Sequence, residues 1–408
     1  MVAPESIRAR ASDLHDDATR MRRHIHSHPE LSFHEAETAR FISSELDRIG
    51  VPHDTRVSGH GIVARVHGEG DGRARDDADD KTGGSAVALR ADFDALPIEE
   101  VDGREYRSVN PGVMHACGHD VHTSCLLMAL RVLSDTRDQW SGTVTALFQP
   151  AEERVPGGAR GMIDAGALDS PTVHRVFGQH VNPEIPVGSV GFGSGLFMAS
   201  ADEIYITVNG RGGHAAKPHL AADPIAIASQ LIVTLQQIVS RAANPIIPSV
   251  LTFGRIIGDG AANVIPDSVR IDGTFRTVDE SWRGDALDRI QEVSDSVARA
   301  LGGSVDVRIE RGYPALVNDA GATAIARDAA VEYLGTDRVV DLPPAMWAED
   351  FAYYALERPA CFFNLGVRND ERGIVHSVHT PRFDVDEEAL AIGGGLMAWI
   401  AIRSLAAD

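Results

Sequence analysis

Two carboxylates stand side by side at Glu152-Glu153, directly after the short apolar run 143–148 and its exit Gln149-Pro150-Ala151. Adjacent carboxylates repel each other. Such a pair at the mouth of a strand asks for a strong positive field nearby, and a bound metal ion is the obvious source. Ligand types crowd the segment 114–122, where Cys117, His115, His119, His122 and Asp120 fall together. Cys117 and His119, two residues apart, offer a soft and a borderline donor on one turn, with Gly118 free to fold the backbone so that both face the same way. The same residues would also serve a cysteine nucleophile paired with His115 or His119, or a polar loop around one buried thiol. His180 and His379 are isolated histidines, and an isolated histidine is more often structural than a ligand.

Strand-like runs at 86–89, 143–148, 173–177 and 361–365 alternate with helical patterns such as 123–133. The alternation predicts an α/β domain with a mostly parallel sheet flanked by helices, and ligands then belong at the carboxyl ends of its strands. Asp92, Glu152-Glu153 and His180 are expected just after three of these runs. An apolar stripe of Ile7, Ala11, Leu14, Ala18, Met21 and Ile25 predicts one amphipathic first helix ending near His28-Pro29. A second, with Phe41, Ile42, Leu46 and Ile49 on one side, should stop at a left-handed Gly50. From about residue 200 the order becomes strand, helix, strand, strand, helix, strand, which is the split βαβ, ferredoxin-like sandwich. The expected domains are therefore 1–199, an inserted α+β unit 200–310, and a return to the first domain over 311–408.

With 408 residues, of which 43% are hydrophobic, the chain can fill two cores. A formal charge of −21 argues against nucleic acid or an anionic membrane as partner. No stretch approaches 18 uninterrupted apolar residues, and three cysteines cannot make a disulfide framework, so a cytoplasmic protein is expected. The segment 68–81 holds no apolar residue larger than alanine and reads as a solvated hairpin tip or insertion, carrying acidic residues at 76–80.

Residues 24–32, 89–97, 115–123, 148–153, 210–219, 349–351 and 379–383 together resemble the amidohydrolase branch of the aminoacylase and carboxypeptidase-type dinuclear metallopeptidases. Hippurate hydrolase, indoleacetyl-amino-acid hydrolases and N-acetyl-diaminopimelate deacetylase belong to that branch. The resemblance implies that Cys117, His119, Glu153, His180 and His379 hold two divalent cations, with manganese, zinc, cobalt and nickel all open. It implies that a hydroxide shared by the cations attacks the amide carbon, with Glu152 as the general base that later returns the proton to the leaving nitrogen. It further implies that His214 donates to the oxyanion, that Asn263 and Arg276 grip a substrate carboxylate, and that Asp92 and Glu349 orient or tune the ligands. The expected substrate is an N-acyl amino acid, and the expected assembly a homodimer joined through the inserted lid. A dipeptidase or carboxypeptidase with the same site, a non-catalytic acyl-amino-acid binding protein and a cysteine hydrolase remain alternatives. His115, His122, His219 and His376 carry no assignment. The chain departs from the family pattern in the acidic insertion, in the proline-interrupted stretch 154–157, and in Trp347, where a smaller residue is usual and which could line an acyl pocket.

Overall fold

A computed structural model describes residues 2–70, 85–101 and 103–407. The acidic residues 76–80 lie outside the described residues. The chain divides into two compact units: 1–195 with 317–343 and 350–408, and 196–316 with 344–349.

The first unit is built on an eight-stranded sheet. Its strands are β1 (His53–Val57), β2 (Gly61–Glu69), β3 (Ala86–Asp92), β4 (Ser141–Gln149), β5 (Arg175–Pro186), β6 (Val190–Phe192) and the later strands Val339–Asp341 and Ala360–Arg368. Across the sheet they run β1-β2-β4-β3-β5, then 360–368, β6 and 339–341. The centre is parallel, β4 with β3, β3 with β5 and β5 with 360–368. The expectation of a mostly parallel sheet needs correction at its flanks. β1 with β2, β2 with β4, and β6 with 360–368 are antiparallel, which makes the sheet mixed. At the β1 edge the cause is local: Ser58 and Gly59 take left-handed backbone (φ 54° and 83°) in a turn too short for a parallel crossover. β4 lies between β2 and β3 in the sheet, and the expected hairpin tip or insertion over 68–81 falls almost wholly outside the described residues.

The first apolar stripe is split over α1 (Pro4–Asp13) and α2 (His15–Ser27), which meet at Leu14 (φ −94°, ψ 3°). One helix was expected, but the break costs no burial: Ile7, Ala11, Ala18, Met21 and Ile25 are all in the core. α3 (Ala36–Arg48) ends at a left-handed Gly50 (φ 69°), with the Val51 N–H returning to the Leu46 carbonyl at 3.0 Å. α4 (His119–Asp135) is buried almost all round, its polar first turns His119, Asp120, His122, Thr123 and Ser124 as well as its apolar later ones. It packs on the C-terminal helix Glu388–Ala406, which is apolar and long enough to cross a membrane but has 78% of its most apolar 18-residue window buried in this fold. The contact is close because Gly393 faces Cys125; a Cβ there would come within 2.8 Å of its Sγ.

The second unit carries the strands Asp202–Asn209, Ser249–Ile257, Ser268–Thr277 and Ser304–Arg311, with helices Pro224–Gln237 and Glu280–Ala300 between them. The sheet order is 249–257, 268–277, 202–209, 304–311, every neighbour antiparallel. Ile204, Ile206 and Val208 alternate inward beneath the helices. Asp223 caps the first helix through the Ile225 N–H at 2.9 Å, with Pro224 pre-set for its first turn. The segment 344–349, expected in the resumed first domain, clusters with this unit instead. The Ala345 N–H donates to Phe197 O at 2.9 Å, and Arg276 Nη1 donates to Met346 O at 3.2 Å.

Candidate metal centre

In the first unit Cys117, His119, Glu153, His180 and His379 converge at the carboxyl ends of the central strands. Two sets of three ligand atoms form, Cys117 with His119 and His180, and Cys117 with Glu153 and His379, each with all atoms within 4.8 Å of one another. The sets share the sulfur. Cys117 Sγ is 3.4 Å from His180 Nε2 and 3.2 Å from His379 Nε2, and Glu153 Oε1 is 3.2 Å from His379 Nε2. Glu152 is buried beside them, its carboxylate grouped with His119 and Glu153.

The positioning is local chemistry. Gly118 (φ 83°) caps the N-terminus of α4 and turns Cys117 and His119 toward one another; a Cβ there would lie 2.5 Å from Val181 Cγ2, so only glycine fits. His180 was expected beyond a strand ending at 177, but β5 continues to Pro186 and His180 lies inside it, opposite Asn364. Its Nδ1 contacts the Val181 carbonyl at 2.7 Å, which fixes the ring with Nε2 toward Cys117. His379 takes left-handed backbone (φ 59°), and its N–H bonds the Ala116 carbonyl at 2.7 Å, which ties the two ligand segments together.

Electrostatics show what these residues fit. Burial pulls the His119 imidazolium down, but Asp92 and Asp94 outweigh it and raise the group to about 10. Burial, with His122 beside it, takes His180 down to about 3. Burial and the carboxylates of Glu153, Glu152 and Asp92 push the Cys117 thiol well above its usual range. A cysteine nucleophile needs the opposite, an electropositive setting that frees the thiolate. The buried atoms His119 Nε2 and Glu153 Oε1 find no hydrogen-bond partner among the described residues. Orphaned donors of this kind beside a sulfur and two more imidazoles are what a divalent cation satisfies, so the residues fit the metal.

Two carboxylates near the ligands divide their work. Asp92 bonds His122 Nδ1 at 2.6 Å, and His122 Nε2 accepts the Val181 N–H at 2.9 Å, so both nitrogens of His122 are used and it is a strut rather than a ligand. The Asp92 carboxylate is held well below the usual range despite burial, first by Arg90 at 2.6 Å and then by His119 and His122. Asp94, unassigned in the sequence, orients His119 through Nδ1 at 3.3 Å. It also accepts the N–H groups of Glu152 and Glu153 at 2.9 and 3.0 Å. The signal available was its place two residues after Asp92, on the same face of an extended segment. His115 is buried, its ring nitrogens unpaired among the described residues, while His219 and His376 are exposed.

In the second unit His214 and Asn263 come together. The short strand Gly213–His214 pairs with Val264–Ile265, and the Ala215 N–H donates to Asn263 O at 3.1 Å. His214 is exposed, with Nδ1 accepting the Ala216 N–H at 3.1 Å, so its neutral ring carries the proton on an outward Nε2. Arg276 is half-buried on the strand 268–277, and burial lowers its guanidinium below the usual value. Trp347 is exposed and Glu349 buried, both in this unit.

The class is known: residues 88–402 match the model of peptidase family M20/M25/M40, and the chain is a member of that family. It is 41% identical over 95% of its length to the N-acetyl-L-cysteine deacetylase of Bacillus subtilis, covering 88% of that protein. The N-acyl-L-amino acid amidohydrolase of Geobacillus stearothermophilus is 40% identical over 77% of this chain and 81% of its own. Among solved structures, the Bacillus subtilis YXEP protein, a dinuclear metal binding peptidase from the M20 family, superposes with a TM-score of 0.80 at 33% identity, covering 97% of this chain and 100% of that one. The chain is therefore a hydrolytic enzyme of a dinuclear metal-binding family.

Proposed function

We propose that the protein hydrolyses the amide bond of N-acyl amino acids, with Cys117, His119, Glu153, His180 and His379 as the ligands of two divalent cations and Glu152 as general base. The observation that carries this reading is the shared sulfur: two three-donor sets meet at Cys117, with a second carboxylate beside them. When bound, the cations supply a Lewis acid and a water of lowered pKa. Glu153, wedged 3.2 Å from His379 and 3.8 Å from His119, is the anchor of the acidic pair. Glu152 takes a proton from the attacking water and passes it to the leaving nitrogen. The second unit, read as a ferredoxin-like lid, contributes His214 as the Nε2–H donor to the oxyanion and Asn263 with Arg276 as the grip on the substrate carboxylate. Trp347, 44% exposed, is an apolar surface suited to the acyl group.

The lid also carries the dimer reading. Ile225 and Val233 on the helix Pro224–Gln237 are exposed, and the strand 249–257 is an edge of its sheet, so an apolar helix face and an open strand edge are both offered to a second copy. The three cysteines are unpaired, in keeping with a cytoplasmic setting.

The test is a panel of N-acetyl, N-benzoyl and N-indoleacetyl amino acids assayed beside dipeptides. Turnover of the acyl amino acids should vanish with a chelator and return with manganese, cobalt, zinc or nickel. Preference for dipeptides would overturn the substrate reading, and loss to a thiol alkylator without metal release would favour the cysteine route.

A further inference from the structure

Three consecutive amides, those of Ala151, Glu152 and Glu153, are each held by a carboxylate. The Glu152 and Glu153 N–H groups go to Asp94, whereas the Ala151 N–H goes to Glu35 Oε1 at 2.9 Å. Ala151 needs such an anchor: its φ of 55° is left-handed backbone, where a side chain with a Cβ crowds the following carbonyl. The same Glu35 oxygen accepts the Phe33 N–H at 2.9 Å, and Phe33 is also left-handed (φ 68°). Glu35 stands at the N-cap position of α3 yet makes no capping bond to its own helix. It is fully buried, and its second oxygen, Oε2, has no hydrogen-bond partner among the described residues. A buried carboxylate that neglects its helix and bridges two left-handed residues is a poor stability device and a good spacer.

We propose that Glu35 is a positioning residue for the acidic pair: by clamping the Ala151 peptide in its left-handed turn it aims Glu152 and Glu153 in their separate directions. This rests on the reading of Glu152 as base and Glu153 as ligand. The clamp acts through the reach of an acceptor oxygen, so charge should not matter and length should.

Two variants of the metal-loaded enzyme separate these. Glu35→Gln keeps the acceptor at the same reach and should hold kcat within about threefold of the parent. Glu35→Asp keeps the charge, retracts the oxygen by one methylene, and should lower kcat about 100-fold, the cost of roughly 1 Å of misplacement, with KM changed less than threefold. In the Glu35→Asp background Ala151→Gly, which accepts the left-handed turn unaided, should recover part of that loss. The clamp is overturned if Glu35→Asp matches or exceeds Glu35→Gln, if Ala151→Gly recovers nothing, or if the acidic limb of the pH–kcat profile moves in Glu35→Gln, which would make Glu35 a proton carrier. Glu152→Gln run in parallel keeps the two readings apart. Its retained turnover refutes the base assignment, whereas its inactivity with an unaffected Glu35→Asp refutes the clamp alone.

Discussion

The candidate residues of the two units are held differently, His379 of the first, 51% exposed, and Arg276 of the second, half-buried and bonded to Met346 O, aside. In the first unit His119 is sealed from solvent and fixed from behind by Asp94, His180 is pinned through Nδ1, and the backbone of the acidic pair is hung on Asp94. In the second, His214 and Asn263 are exposed on a ribbon of two-residue strands, with one local bond to the His214 ring. On the roles proposed for them, the difference follows from what each would bind. A cation is small, highly charged and intolerant of misplaced donors, so its ligands are set before it arrives. A substrate carboxylate or oxyanion must enter and leave, so its donors stay reachable and are less rigidly built.

The largest effect is expected at Glu152. Glu152→Gln removes the proton acceptor while leaving the ligands in place, and kcat should fall about 10³- to 10⁴-fold with metal content, measured by elemental analysis, unchanged. Metal lost along with activity would make Glu152 a ligand and erase the division of labour within the acidic pair. His214→Ala should come next, lowering kcat about 10²- to 10³-fold if it supplies one oxyanion donor, again with full metal content. A change in metal affinity there would show that the second unit takes part in ion binding and that the two units do not divide the work. Asp94→Asn should be smaller in activity but should reach the ions, weakening metal affinity about 10- to 100-fold in a chelator competition. Unchanged affinity would mean that His119 is oriented by something else.

What could be read in the sequence was the donor chemistry, because few side chains bind a cation or accept a proton and those few are conspicuous when crowded as at 114–122. His180 and His379 were legible only through the family resemblance, since nothing in an isolated histidine tells which way its ring points. The strands 86–92 and 141–149 were visible as apolar runs, but β2, antiparallel to 141–149, and β1 beyond it were not named; in β1 the polar sequence His53–Val57 has no alternating apolar pattern. Glu35 escaped notice for a more specific reason. Its role depends on a left-handed turn at Ala151, and alanine gives no hint of positive φ where glycine would have announced it.

The smallest effect tests the burial of Glu35 itself. Burial, with Asp94 nearby, raises its carboxyl from the ordinary 4.5 to about 7. A group whose pKa is raised by folding contributes fully to stability below its unfolded value, and the contribution is lost as pH climbs through the folded one. Between pH 6 and pH 8 the metal-stripped protein should therefore lose about 1 kcal/mol through this residue, a drop of about 1 °C in Tm for a chain of this size. Glu35→Gln cannot ionise, so the Tm difference between variant and parent should shift in the variant's favour by that amount as the pH rises from 6 to 8. A difference independent of pH would mean that Glu35 is already ionised at pH 6, and the carboxylate would then belong among the prepaid charges of the metal site rather than to its scaffold.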